Sequence, residues 1–330
     1  MKYARLGETD IKVSKIAFGC MSTVANPTYD GLEDAEGIAT IRSALDHGIN
    51  FFDTAPAYGD GASEDLLGRA LQDVRDQVII ANKVSSQVMS AKEVVEECEK
   101  SLKLLRTDYM DLYQIHWPRR QVPLEETLKA MDDLLKQGKV RSLGVCNFGI
   151  EDLTEALGSD VPLVSNQIAY SLLSRAVEFE VEGLCERYGI GFLCYSPLAQ
   201  ALLAGKYESA DDVPPERART RMFSKDRPQS RHDEDGCEEQ VFAAIAAIRK
   251  ISHRVGRSMA DVSLAWLLHQ DSVTSILVGA SRPDQVARNA ASAQVQLSQD
   301  DLDELDAVTQ PVKLAMGGSL DMWATPSRIR

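Results

Sequence analysis

The chain has 330 residues, 44% of them hydrophobic and 26% charged, which is globular composition with enough apolar material for a sizeable core. Its formal net charge is −14, with a pI near 4.9, and this argues against a general binder of nucleic acid or anionic membrane, since either wants a basic face. The cysteines at 20, 98, 146, 185, 194 and 237 form no C-x-x-C pair or zinc-spaced cluster, and no run approaches the roughly 18 apolar residues of a membrane span, so a cytoplasmic protein with reduced thiols and no metal is expected.

The chain opens on a predicted hairpin, Tyr3–Leu6 and Ile11–Val13 around a Gly-Glu-Thr-Asp turn. Short apolar runs then alternate with amphipathic segments. The run to Gly19 is a strand, followed by a helix over Asp34–His47. A strand ending at Asp53 precedes a helix over Ser63–Leu71. A strand ending at Lys83 precedes a helix that Ser90 and Glu93 open as a capping box. A strand ending at His116 is followed by a helix over Leu124–Lys136, and one ending at Asn147 by a helix near 150–157. A strand ending at Gln167 leads to a helix near 178–188, and the next strand ends at Tyr195.

Residues 205–235 then hold Pro214, Pro215, Pro228 and many charges with no clean period; a segment this long is functional or disordered. Helices follow over Glu238–His253 and from Ser258 to His269, a strand ends near Gly279, and helices are expected over Pro283–Ala293 and from Ser298 onward. The first seven strand ends are spaced by 20 to 34 residues and the last by 84. Eight strands alternating with helices imply parallel pairing and a (β/α)8 TIM barrel as a single domain over 1–330. It carries an N-terminal hairpin, a long loop after barrel strand seven and an extra C-terminal helix. A doubly wound open sheet is the alternative, but the first strand-helix turn has no G-x-G-x-x-G.

In such a barrel the C-terminal strand ends share one face, which carries the active site. Asp53, Lys83 and His116 end strands two, three and four, and Tyr58 follows strand two behind Pro56, which forbids a regular continuation. A buried Lys83 needs a partner, and Asp53 supplies it. The ammonium is expected to lower the Tyr58 phenol from about 10 toward working pH, so that it protonates a carbonyl oxygen while His116 orients that oxygen.

At this point the residues carry a family. The motifs Asp53-Thr-Ala-x-x-Tyr58-Gly, His116-Trp117-Pro118, Gly138 to Asn147-Phe, Asn166-Gln167, Tyr195-Ser-Pro-Leu-Ala-Gln and Gly279-Ala-Ser-Arg-Pro-Asp-Gln285-Val-x-x-Asn289 run in order along nearly the whole chain. They resemble the aldo-keto reductases, and most of all bacterial members with the Tyr-Ser-Pro-Leu loop. The resemblance implies an NADP(H)-dependent (β/α)8 oxidoreductase with Asp53, Tyr58, Lys83 and His116 as catalytic tetrad.

It further implies cofactor contacts. Asn147 and Gln167 would hold the nicotinamide carboxamide, with Cys146 standing where the family has serine, and Tyr195 would stack on the ring. Ser196, Pro197, Leu198, Gln200 and Lys206 would cradle the pyrophosphate. Gly279, Ser281, Arg282, Gln285 and Asn289 would take the adenosine phosphate at a helix N-terminus, with Pro283 at the first helical position. Cys20, Met21 and Asp53 also fall among the expected cofactor contacts, and Arg221 is expected to lock over the cofactor from the long loop. Met21, Tyr58, His116 and Trp117 would line the substrate pocket, joined by Tyr29 and Trp323. The reaction implied is reduction of an aldehyde, ketone or sugar carbonyl. A cofactor-binding sensor or regulatory subunit, and a Schiff-base aldolase using Lys83, are the rival readings.

Overall fold

Two short strands, β1 (Tyr3–Arg5) and β2 (Lys12–Ser14), pair antiparallel as the expected hairpin. Eight more follow: β3 (Ile16–Gly19), β4 (Phe51–Asp53), β5 (Ile79–Val84), β6 (Leu112–Ile115), β7 (Leu143–Cys146), β8 (Leu163–Ala169), β9 (Gly191–Tyr195) and β10 (Val273–Val278). All eight run parallel in chain order, and β10 pairs with both β9 and β3 to close the barrel. The computed structural model describes residues 1–25, 31–85 and 90–330.

The helices are α1 (Asp34–Asp46), α2 (Ala62–Leu71), α3 (Ala91–Leu105), α4 (Leu124–Lys136), α5 (Ile150–Leu157), α6 (Val181–Arg187), α7 (Glu238–Val255), α8 (Met259–Leu268), α9 (Pro283–Ser292) and α10 (Gln299–Met316). Ser90, Ser258 and Ser298 each accept from the backbone three residues on, while Glu93, Asp261 and Asp301 reach back, so the capping box expected at Ser90 is present and the helix starts expected at Ser258 and Ser298 are capping boxes as well. The helix expected near 178–188 is shorter. A 3-10 turn over Ala176–Glu178 precedes α6, and Glu178 is held there by Arg175, Lys313 and Tyr170 at 2.7 to 3.0 Å.

Strand alternation sorts the side chains by face. Phe52 joins the core between barrel and helices, whereas its neighbour Phe51 joins a separate cluster with Ala17, Ala81, Leu112, Leu193 and Leu277 in the barrel interior. Leu6, Ile11 and Val13 of the hairpin belong to that same cluster, so the hairpin plugs the N-terminal end of the barrel. Two residues further along the same strands stand Gly19, Asp53, Lys83, Gln114, Tyr195 and Gly279. The interior is therefore apolar at the plugged end and polar at the other, and that polar layer is the candidate site.

Residues 205–235 are less loose than their composition suggests. Val213, Ala218, Met222 and Phe223 are buried, as are Thr220, Arg221 and His232. The tail beyond α10 packs beside them, with Asp321, Met322 and Ile329 buried and the Arg330 carbonyl accepting from the first amides of α5 at Glu151 and Asp152. Among the described residues no helix is long and apolar enough to cross a membrane.

Candidate active site

The site is built from the polar ends of the barrel strands. Asp53 closes β4 in register with Gly19 on one side and Ala81 on the other, which sets it two residues from the level of Lys83. Lys83 is fully buried, and its ammonium donates to Asp53 Oδ1 at 2.6 Å, the Thr54 carbonyl at 2.9 Å and the Tyr58 hydroxyl at 3.3 Å. Burial works against this charge, but Asp53, Tyr58 and Cys146 outweigh it, so the lysine pKa stands above its usual value. The turn after β4 presents Tyr58: its amide donates to the Ala55 carbonyl, its carbonyl accepts from Ser63, and Ser63 Oγ meets Thr54 Oγ1 at 2.8 Å.

The Tyr58 phenol departs from expectation. Burial pushes it up to about 12, and the lowering by Lys83 only partly offsets that. The sequence argument counted the neighbouring cation but not the desolvation of the phenolate, which is the larger effect here. Tyr58 is therefore a neutral phenol at ordinary pH, a loaded proton donor. Across from it His116 meets the ring edge to face, with centroids 6.1 Å apart. Burial, with the Lys83 charge adding to it, pushes the imidazole down to about 3, so His116 is neutral as well. Among the described residues no hydrogen bond occupies its ring nitrogens, and a ring N–H is open to an incoming oxygen. The arrangement suits proton delivery to one developing oxyanion; no nucleophile-base pair stands here.

Asn147 and Gln167 are buried at the ends of β7 and β8. Each amide already has partners: Gln167 Nε2 donates to Asp53 Oδ2 at 2.7 Å, and Asn147 Nδ2 to the His116 carbonyl at 3.0 Å while its Oδ1 accepts from the Tyr195 hydroxyl at 2.8 Å. These two residues thus tie Asp53, His116 and Tyr195 into one network that the sequence did not reveal. Cys146 and Cys20 are buried, and the Cys20 thiol lies 3.9 Å from the Phe18 carbonyl, so neither offers a side chain to an open surface. Met21 is exposed at the rim. Tyr29 lies outside the described residues.

After Tyr195 the backbone coils tightly. Ser196, Ala199, Gln200 and Ala201 all have positive φ, between 46° and 73°, although none is glycine. Each such residue costs about 1–2 kcal/mol, and strain concentrated in six residues marks a conformation held for a purpose. Gln200 Nε2 donates to Ser196 Oγ and Arg217 to the Gln200 carbonyl, bracing the coil; Pro197 and Leu198 lie within it, and Lys206 stands exposed just beyond. On the far side Gly279 passes so close to Ser22 that a Cβ would sit 2.9 Å from its hydroxyl. Arg282 caps α9 with Pro283 at the first position, as expected, and Gln285 Oε1 accepts from the Ser281 amide and hydroxyl. Asp284 bridges Arg282 and Arg288, and Asn289 reaches the Gly279 carbonyl at 3.4 Å.

Arg221, expected over the cofactor, has partners within the protein. Its guanidinium is buried and bound to Glu234 at 2.6 Å and to the carbonyls of Met316, Ser319 and Asp321, so it clamps the long loop to the tail. Sequence reasoning also missed Arg219, Arg231 and Arg328, which gather with Trp117 and Trp323 around a cavity of about 190 Å³. The signal was present as five arginines between 217 and 231 in a chain of net charge −14.

A closed parallel barrel with its polar groups collected at the C-terminal strand ends is a TIM barrel built as enzymes of that fold are built. The chain matches the model of the Aldo/keto reductase family over residues 15–310 and belongs to that family. It is 33% identical over 326 residues to aldo-keto reductase YhdN of Bacillus subtilis, covering 94% of each chain. It is 29% identical to a probable voltage-gated potassium channel subunit beta of Arabidopsis thaliana, over 94% of this chain and 97% of that one. Among solved structures, an aldo-keto reductase from Klebsiella pneumoniae in complex with NADPH is similar with a TM-score of 0.74 and 29% identity, over 93% of this chain and 95% of that one.

Proposed function

We propose that this chain is an NADP(H)-dependent oxidoreductase that reduces an aldehyde, ketone or sugar carbonyl to the alcohol, with Tyr58 as the proton donor. The observation that carries the reading is the buried Lys83 ammonium held between Asp53 and the Tyr58 hydroxyl. Bound NADPH would supply the hydride. Tyr58 gives its phenolic proton to the carbonyl oxygen as negative charge builds there, and Lys83 steadies the phenolate left behind. Asp53 keeps Lys83 charged, which makes it a poor Schiff-base nucleophile. His116, neutral, donates an N–H to the same oxygen and orients it.

The chain's groups fit a dinucleotide. The strained coil at 196–201 follows β9, Gly279 brings the chain after β10 close against Ser22, and α9 presents its N-terminus with Arg282 beside it; these support a site for its phosphates. Asn147, Gln167 and Tyr195 would hold the nicotinamide end. Six buried free thiols support a reducing compartment, the cytoplasm. The plant relative's name favours a second reading, a cofactor-binding subunit; the intact Asp53–Lys83–Tyr58–His116 set favours turnover. Following NADPH oxidation against a panel of aldehydes, ketones and keto-sugars decides between them, with turnover of at least one carbonyl expected and none across the panel contradicting the reductase.

A further inference from the structure

The tail beyond α10 reaches the catalytic groups by two routes, and both start at one fully buried carboxylate, Asp321. The Trp323 amide donates to its Oδ1 at 3.1 Å, and the Arg328 amide to its Oδ2 at 3.1 Å. The Arg328 guanidinium adds a two-point bond at 2.6 and 2.8 Å. Burial works to raise the Asp321 pKa, but the bonds from Arg328 outweigh it, so the carboxyl stands below its usual range as a fixed anion. The tail around it is anchored. Arg221 holds the Ser319 and Asp321 carbonyls, and further on the Arg330 amide donates to Asp152 at 2.7 Å.

The first route runs through Trp323. Its indole N–H reaches the Tyr195 hydroxyl, which donates in turn to Asn147 Oδ1 at 2.8 Å. Asn147 Nδ2 then donates to the His116 carbonyl at 3.0 Å. The second route runs through Arg328, whose guanidinium lies 3.9 Å over the ring of Trp117, the residue next to His116. His116 is thus held on both flanks, its carbonyl by Asn147 and the side chain that follows it by Arg328. Among the described residues no hydrogen bond occupies its ring nitrogens, so the backbone around it sets where the imidazole points. An N–H loses strength steeply as it turns away from its acceptor, and a misplaced group is felt in the rate.

We propose that Asp321 is a positioning residue for the reaction: through Trp323 and Arg328 it sets the direction of the His116 N–H toward the substrate oxygen. The inference rests on the reductase reading. Asp321 acts through His116 and not on the substrate itself.

Asp321→Asn keeps the shape of the side chain and removes its charge. It should lower kcat about tenfold on a carbonyl that the wild type reduces, measured on protein that still melts cooperatively. The loss should shrink below about twofold when the same change is made in His116→Gln, because the group being aimed is already gone. A loss of packing alone would cost the same factor in both backgrounds. A second readout needs no turnover. His116 is one of five histidines, so with the ring nitrogens isotopically labelled its magnetic-resonance signal is assigned by its loss in His116→Gln. Asp321→Asn should shift that signal. So should Tyr195→Phe, which removes one hydroxyl from the middle of the first route and answers even where Asp321→Asn fails to fold. An unmoved His116 signal, or equal losses of kcat in both backgrounds, would overturn the positioning role and leave the reductase standing. No carbonyl reduced by the wild type, with the signal still shifted in the variants, would overturn the reductase and leave the link from tail to His116.

Discussion

Tyr58 sits under two opposed influences, and their magnitudes decide its chemistry. Lys83 at 3.3 Å favours the phenolate, while burial disfavours it more, and the balance is a pKa of about 12. Carbonyl reduction should therefore show no basic limb from Tyr58 until pH rises toward that value, and a pH profile of kcat/KM that fell between about pH 7 and 9 for this reason would contradict it. His116 makes a stability prediction. Its folded pKa, about 3, lies below the 6.5 of an unperturbed imidazole, so between those values the unfolded chain binds a proton that the folded chain refuses. Its contribution is whole above pH 6.5 and is lost as pH falls toward 3. His116→Gln should flatten that part of the stability curve in urea melts, and an unchanged slope would show that His116 is not buried neutral. Asp53 and Lys83 were legible as a pair because a strand-end lysine needs a counter-charge. The depth of Tyr58 was not legible, because burial of a loop residue depends on contacts with residues distant in sequence, here Lys83 and His116.

At the level of elements, the coil at 196–201 and the start of α9 carry the predictions. Ala201 has φ of 73°, where glycine pays no Cβ penalty. Ala201→Gly should raise stability by about 1 kcal/mol, set against glycine's greater freedom in the unfolded chain, and a loss in thermal melts would show that the coil is not strained there. Arg282→Ala should weaken NADPH about ten- to a hundredfold and leave NADH nearly unchanged, measured by fluorescence titration. Equal losses would show that Arg282 does not read the 2′-phosphate, and Asp284, which already holds Arg282 at 3.1 Å, would be the reason. The strand ends and three helix starts were legible because alternation and capping boxes are local. The coil was not, since four left-handed non-glycine residues leave no mark in the sequence.

For the whole molecule, the long loop and the tail form one covering structure over the C-terminal face. Proline and charge density in 205–235 suggest a loose lid, yet Met222 and Phe223 are buried and Arg221 ties the loop to Met316, Ser319 and Asp321. Such a clamp joins residues about a hundred positions apart, and no local pattern announces it. Arg221→Met removes a buried charge from Glu234 and three carbonyls, and should cost about 3 kcal/mol in denaturant melts while opening both segments to protease. Undiminished stability with unchanged cleavage would mean the cover is held elsewhere.

The central claim is that Tyr58 delivers the proton. Tyr58→Phe removes one hydroxyl and keeps the ring against His116. On a good carbonyl substrate, with hydride transfer shown to be rate-limiting, kcat should fall about 10²–10⁴-fold while NADPH affinity, read by fluorescence titration, barely moves. A variant that retained more than about a tenth of the wild-type turnover under those conditions would contradict the account and pass the acid's role to His116.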